Sequence, residues 1–172
     1  MLRPFLVKRG IIVSIEQVKT YLAHFGREGD VIEFTTSSAT VELAAKALGV
    51  EGARIAKSLA FVVENGCVLV VAAGDARVDN QKFKARFGCK AKMTTPEQTV
   101  AFTGHAIGGV CPFALPKGAG TKVYLDESLK RFQTVYPACG SSNSAIEVTL
   151  AELEEYSCFE GYVDVCKAWR EE

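Results

Sequence analysis

Lys57 stands inside an otherwise apolar run, Ile55-Ala56-Lys57-Ser58-Leu59-Ala60-Phe61. An ammonium on an apolar strand face either snorkels to water from the strand end or anchors a phosphate or carboxylate at the mouth of a pocket. A second segment, Thr103-Gly104-His105-Ala106-Ile107-Gly108-Gly109-Val110-Cys111-Pro112-Phe113, holds three glycines and a proline. Paired glycines let a ligand approach the main chain and can turn N–H groups toward a developing oxyanion, and a plain surface turn uses the same residues. Cys111 has His105 six residues upstream, so a thiol nucleophile is conceivable. No third, orienting residue is evident, and a structural or pocket-lining cysteine is the stronger reading.

Three further clusters are candidates. Gly74-Asp75-Ala76-Arg77-Val78-Asp79 follows a strongly apolar run. It reads either as a turn with an Asp75–Arg77 contact or as the wall of a site at a strand end. Lys82, Lys84, Arg86, Lys90 and Lys92 follow one another with no acid between them. They make either a solvated helix face or a phosphate-facing patch. Tyr136-Pro137-Ala138-Cys139-Gly140-Ser141-Ser142-Asn143-Ser144 is small and polar, a plain turn or a site-lining loop.

The elements that must position these groups follow from periodicity and capping. Ser14 and Gln17 form a capping box ahead of Ile15, Val18, Leu22 and Phe25, with Gly26 as the stop. Val31 to Thr35 reads as a short strand. Thr40 caps a helix with Val41, Ala44, Ala45 and Leu48 on one face, Glu42 and Lys46 four apart outside, and Gly49 at the end. Ser58 to Val63 and Cys67 to Ala73 form a hairpin around Asn65-Gly66, a type I′ pair, and both runs are apolar enough to be central strands covered by helices. Asn80 to Phe87 reads as a helix and Cys89 to Met93 as a strand. Thr95-Pro96-Glu97-Gln98 opens another helix. Thr103 to Leu115 is a loop and Pro116 to Gly120 a surface loop. Lys122 to Leu125, Gln133 to Tyr136 and Ala145 to Val148 are strands, and Thr149 with Glu152 caps a last helix. Cys158 to Glu172, with Trp169, is a final strand or helix packing on the sheet. The order gives a mixed α/β domain, and the hairpin excludes a purely parallel, doubly wound sheet.

The 172 residues fit a single domain spanning 1–172, about half apolar and about a quarter charged. Twenty basic and twenty acidic side chains give no net charge, which argues against coating DNA or RNA backbone while leaving room for a protein that touches only an RNA end. No run is long enough for a membrane span. Arg3, Lys8 and Arg9 bracket too short an apolar stretch for a secretory signal, so a cytoplasmic location is expected. The six cysteines contain no Cys-x-x-Cys pair, and neither His24 nor His105 sits at zinc-finger spacing. We expect reduced, mostly buried thiols and no metal site.

The order of the motifs is more specific than any one of them. Thr40 to Leu48, Arg54-Ile55-Ala56-Lys57-Ser58-Leu59, Gly74-Asp75-x-Arg77-x-Asp79, Thr103-Gly104-x-x-x-Gly108-Gly109-x-x-Pro112-Phe113 and Val123-Tyr124-Leu125-Asp126-Glu127-Ser128-Leu129 together resemble the YbaK-like, prolyl-tRNA synthetase-associated editing family, over residues 12 to 156. The resemblance implies a compact, mixed, mostly antiparallel, partly barrel-like sheet surrounded by helices. It implies hydrolysis of the ester of mischarged tRNA, acting in trans, with no metal or organic cofactor. Its partners would be the aminoacyl-tRNA acceptor end and a synthetase, without DNA or membrane.

Carried onto this chain, the resemblance gives Lys57 the anchoring of the tRNA 3′ end. The loop Gly108 to Pro112, with Gly108 and Gly109 as backbone donors, would hold the acyl ester and water. Around these catalytic positions we place Ser58, Asp75, Thr103, Gly104, His105, Cys111, Pro112, Gly140 and Ser141 as substrate-binding residues. Asp126 would be structural or at the pocket edge. Some relatives carry an acid where Ala145 stands here, and the turn reads Cys139-Gly140-Ser141-Ser142-Asn143, without Gly-Gly and basic residues. Alanyl, cysteinyl, seryl and threonyl esters therefore all remain open. Two other readings compete: a non-catalytic module that binds tRNA ends or a synthetase, and a thiol-dependent enzyme using Cys111.

Overall fold

The computed structural model describes residues 13–171, so the basic N-terminal residues Arg3, Lys8 and Arg9 lie outside it. Helix α1 (Ile15–Ala23) begins at the capping box: Ser14 N–H donates to Gln17 Oε1 at 2.8 Å, and Gln17 N–H to Ser14 Oγ at 3.3 Å. It buries Val18 and Leu22 against the core. Strand β1 (Ile32–Glu33) is shorter than the expected Val31 to Thr35. Helix α2 (Val41–Leu48) is capped by Thr40 Oγ1 at 3.2 Å from Leu43 N. Its face of Val41, Ala44, Ala45 and Leu48 packs on Ile55 and Tyr136 in a satellite cluster.

Strands β2 (Ile55–Val63) and β3 (Gly66–Ala73) form the expected antiparallel hairpin. The register pairs Val63 with Gly66, so the two-residue turn is Glu64-Asn65 and not Asn65-Gly66. Neither Glu64 nor Asn65 has positive φ, so this is no type I′ turn. Gly66 is there for another reason: its φ is 143°, and a Cβ on it would lie 2.2 Å from Gly120 O. Strand β3 is buried along its whole length, whereas β2 is only half-buried at Lys57, Ser58 and Leu59. That half-burial departs from the expected covered strand and marks the site.

Strand β4 (Arg77–Val78) leads into α3 (Asn80–Phe87), where Asp79 Oδ1 caps Gln81 N at 2.9 Å and Lys82 N at 3.0 Å. Phe83 sets this helix on the sheet, its ring centroid 4.9 Å from that of Phe61. Cys89 to Met93 forms no strand; a single bridge, Met93 to Phe61, ties it to β2. Helix α4 (Pro96–Thr103) carries the Thr95–Gln98 capping box and Pro96 in its first turn. Then come β5 (Thr121–Asp126), β6 (Thr134–Pro137), β7 (Ser144–Ala145), β8 (Val148–Thr149), α5 (Leu150–Ser157) behind the Thr149–Glu152 box, β9 (Gly161–Val163) and β10 (Cys166–Lys167). The expected strand Ala145 to Val148 is broken at Ile146-Glu147, because β7 pairs with β1 and β8 with β6.

The main sheet has the order β8-β6-β2-β3-β5-β9 and curls into a half-barrel. It is mixed. Within it β2–β6, β3–β5 and β5–β9 run parallel and β2–β3 and β6–β8 antiparallel, so this sheet is less antiparallel than expected; the separate pairings β1–β7 and β4–β10 are antiparallel. One principal core surrounds β3, with Leu69, Val70, Val71, Phe83, Phe113, Leu125, Leu129, Ile146 and Leu153 fully enclosed. Burial on this scale, at about 1.5–3 kcal/mol per large side chain, gives the sheet the rigidity to hold a half-exposed strand beside it.

Candidate active site

The site begins as an interruption in a hydrogen-bond ladder. On the outer edge of β2, β6 pairs only with Ile55 and Ala56. Further along, Thr94 N–H donates to Ala60 O at 3.0 Å and Val62 N–H donates to Lys92 O at 2.9 Å. Main-chain polar groups alternate between the two edges of a strand, so Ser58 N–H and C=O point the same way as those of Ala60 and Val62. They face a gap between Pro137 and Thr94. A cavity of about 330 Å³ opens there, walled by Lys57, Ser58 and Leu59, by Val41 and Ala44 of α2, by Thr94 and Thr99, by Gly108 and Val110, and by Tyr136, Ala138, Ser144 and Ala145. Among the described residues no carboxylate lines it.

Lys57 is half-buried, and its Nζ donates to Gly74 O at 3.2 Å and to Ala76 O, just beyond the end of β3. No carboxylate among the described residues lies within ion-pair distance of it. Burial lowers its pKa from the ordinary lysine value, against weaker opposing pulls from Cys166, Asp75 and Glu42. Ser58 lines the same cavity, and its buried Oγ has no hydrogen-bond partner among the described residues. A buried hydroxyl without a partner is uncommon enough to need a reason.

The glycine loop forms the opposite wall. Gly108 lines the cavity with φ 96°. Gly109 N–H is already donated to Ala106 O at 3.0 Å, and the Gly109 Cα abuts the main chain of Gly140 and Ser141. Beneath, Thr103 Oγ1 donates to Thr99 O at 2.7 Å and accepts from His105 N–H at 3.1 Å. His105 Nε2 lies 2.8 Å from Phe113 O and 3.4 Å from Cys111 Sγ. That bond requires the proton on Nε2 and leaves Nδ1 bare and unpartnered against Gly140. Burial lowers the His105 pKa and pushes the Cys111 thiol up to about 12. The pair is a neutral clasp across the loop. Ser141 Oγ lies 2.7 Å from Ser144 Oγ, which places it one hydroxyl behind the cavity wall.

Of the residues expected at the site, Lys57, Ser58 and Gly108 line the cavity. Gly109, Thr103, Gly104, His105, Cys111, Pro112, Gly140 and Ser141 are not among the lining residues, and Asp75 is held in a fork by Arg131 at 2.6 and 2.9 Å. Asp126 is buried, accepting from Ser128 N–H and Val165 N–H, both at 3.0 Å. Sequence reasoning missed Thr94 and Thr99, whose hydroxyls are 2.7 Å apart, whereas Tyr136, Ala138 and Ser144 belong to the segment read as a plain turn or a site-lining loop, and they line the cavity.

Lys84, Arg86, Lys90 and Lys92 are exposed, and no carboxylate among the described residues pairs with them. Arg86 lies over the rings of Phe87 and Tyr124, and Lys82 is engaged by Asp164 at 3.4 Å. The run ends beside Met93 and Thr94 on the cavity wall. All six cysteines are free thiols. Among the described residues no group of three His, Cys, Asp or Glu side chains could hold a metal ion, and no helix is long and apolar enough to cross a membrane.

The curled mixed sheet, with a lysine and a glycine loop on opposite walls of a strand-edge cavity, matches the fold of aminoacyl-tRNA editing domains, as comparison with known proteins bears out. Residues 35–156 match the family model for the aminoacyl-tRNA editing domain, and the chain belongs to that family. An uncharacterised Bacillus subtilis protein, YwhH, is 55% identical over 158 residues, covering 91% of this chain and 99% of that one. Proline–tRNA ligase of Thermosipho melanesiensis is 34% identical over 97 residues, 56% of this chain but 17% of the ligase. A crystal structure presented as a candidate trans-editing enzyme for prolyl tRNA synthetase superposes with a TM-score of 0.79 at 32% identity, covering 90% of this chain and 99% of that one.

Proposed function

We propose that this protein is a trans-acting deacylase that hydrolyses the ester of mischarged tRNA in the cytoplasm. The observation that carries this reading is the Lys57 ammonium. It is half-buried, held by two carbonyls, unneutralised by any carboxylate, and set at the mouth of a cavity that exposes an unpaired strand edge. Such a charge is costly unless an anionic ligand meets it. The phosphate or ester oxygen of a tRNA 3′ end supplies that partner.

An aminoacyl ester is already activated, so positioning can account for much of the rate. Lys57 anchors the terminal nucleotide. Ser58, through its N–H and free Oγ, holds the acyl group or the attacking water. Gly108 N–H faces the developing oxyanion, since Gly109 N–H is committed to Ala106 O. Water adds to the carbonyl carbon, the ester C–O bond breaks, and the ribose oxygen leaves with a proton passed through its neighbouring hydroxyl. Among the described residues, Lys57 and Tyr136 are the only titratable groups lining the cavity, which fits a mechanism without a side-chain base. The walls of Val41, Ala44, Ile55, Ala138 and Ala145 suit a small neutral acyl group. The exposed basic run lies where it can follow the acceptor stem, so a chain of no net charge can still grip RNA locally.

The test is hydrolysis of alanyl-, cysteinyl-, seryl- and threonyl-tRNA by wild type and Lys57→Ala. We expect hydrolysis of at least one ester, lost in the variant while its melting temperature holds. Full activity in Lys57→Ala refutes the mechanism. Tight binding of tRNA by a wild type that hydrolyses none of the four favours the binding module.

A further inference from the structure

The family match ends at residue 156, but the described chain runs on and returns to the functional lysine. We propose that this C-terminal strap, working through Arg131, Asp75 and Trp169, positions the Lys57 ammonium. The inference rests on the reading of Lys57 as the functional cation.

The two carbonyls that hold Lys57 flank Asp75. The Asp75 carboxylate is forked by Arg131, at 2.6 Å from one guanidinium nitrogen and 2.9 Å from the other. Arg131 is fixed in turn: Nε donates to Ser128 O at 3.0 Å, a terminal nitrogen donates to Trp169 O at 3.3 Å, and the guanidinium lies 5.2 Å from the Trp169 ring centroid. Immediately after Ala76, β4 pairs with β10 of the strap. Asp79 N–H then donates to Val165 O at 2.8 Å. On the other side, Ala73 N–H donates to Ser128 Oγ at 3.1 Å. Residues 73–79 are thus stapled at both ends and at the middle, with the two lysine-binding carbonyls between the staples.

A clamp of carbonyls does what a carboxylate could not. It orders a flexible four-carbon arm, rich in rotamers, without neutralising its charge. The charged or titratable groups around Lys57, namely Asp75, Arg77, Glu42 and Cys166, all act from beyond bonding distance. The third ammonium proton stays available for the ligand. Arg131 and Asp75 are positioning residues in this scheme and touch no substrate.

The experiment follows the Lys57 ammonium directly. An ammonium held by hydrogen bonds exchanges its protons slowly and gives a resolvable 15N–1H signal in mildly acidic buffer; a released one does not. We expect that signal in the full-length wild type, and its loss in Arg131→Gln and Asp75→Asn. In the same variants kcat for deacylation should drop by about tenfold or more with KM little changed. Arg131→Lys, which keeps the charge but not the fork, should recover part of both, and it serves as the comparison if Arg131→Gln fails to fold. Lys130→Ala, next in sequence but turned to Glu127 and the Tyr162 ring and making no contact with Asp75, should change neither. A Lys57 signal and kcat unmoved in both clamp variants would overturn the proposal. Loss of the signal in those variants, with no ester hydrolysed even by wild type, would uphold the clamp and refute the deacylase.

Discussion

Gly109→Ala is a perturbation whose size can be read from the structure. A Cβ on Gly109 would lie 2.8 Å from both Gly140 C and Ser141 N, and 2.9 Å from Gly140 O. Ordinary contact begins at 3.4 Å, so the two segments must part by roughly 0.6 Å, the difference between those distances. Every obstructing atom is main chain, so no side chain can swing aside. Gly140 has little slack behind it, since its own Cβ position is 2.8 Å from a Val18 methyl and 3.3 Å from His105 Nδ1. The displacement therefore falls on the 108–109 loop and carries Gly108 away from the cavity. Overpacking of this kind destabilises by about 1–3 kcal/mol. Misplacing a reacting geometry by 1 Å costs on the order of 10²-fold in rate, so roughly tenfold is expected here. The assay is single-turnover deacylation beside thermal melting, with Gly26→Ala as control. Gly26 has φ 69° and nothing within 4 Å of its Cβ position, so that variant should lose about 1–2 kcal/mol and no activity. If Gly109→Ala deacylates like wild type, or melts like wild type, the loop is not fixed by the contact described.

Three more outcomes follow from the same geometry. Deacylation, corrected for spontaneous ester hydrolysis, should fall as pH rises through the lowered Lys57 pKa, below the ordinary lysine value of 10.5, because the ammonium is then lost. Between the two values the unfolded chain binds the extra proton, so this group adds stability as pH climbs; a pH–rate profile and pH-dependent melting check both signs. Lys90→Gln with Lys92→Gln should reduce the salt dependence of log kcat/KM by about 0.7–0.9 per phosphate contact removed, with kcat unchanged. Iodoacetamide should alkylate the exposed Cys158 and leave deacylation intact, since Cys111 is enclosed with its thiol pushed up to about 12; inhibition by iodoacetamide together with loss of activity in Cys111→Ala would restore the thiol reading.

Local rules carried much of the fold. The three capping boxes at Ser14, Thr95 and Thr149 all form, because each needs only four consecutive residues. The type I′ reading of Asn65-Gly66 failed because Gly66 answers to Gly120, more than fifty residues away, and not to its own turn. Cys89 to Met93 has strand-like composition, but only Phe61 is there to bridge it, and Ala145 to Val148 changes partner halfway. At the site, Lys57 and Ser58 were legible as polar residues in an apolar strand. Thr94 and Thr99 were hidden, Thr99 as an ordinary helix residue, since their place on the cavity wall beside β2 depends on long-range pairing. The fork from Arg131 to Asp75 was equally out of reach: sequence suggested Arg77, two residues away, where the chain uses a partner 56 residues away.

The opening beside Ser58 also bears on solubility. An unpaired strand edge is a template for other chains, and most proteins cover theirs. Here the bare stretch amounts to one residue's N–H and C=O, closed on one side by the β6 pairing that ends at Pro137 and on the other by the Thr94 bond to Ala60. A neighbouring strand needs several residues in register to add to a sheet, and this slot admits none. The protein can thus offer main-chain hydrogen bonds to a ligand while offering no edge on which aggregation could begin.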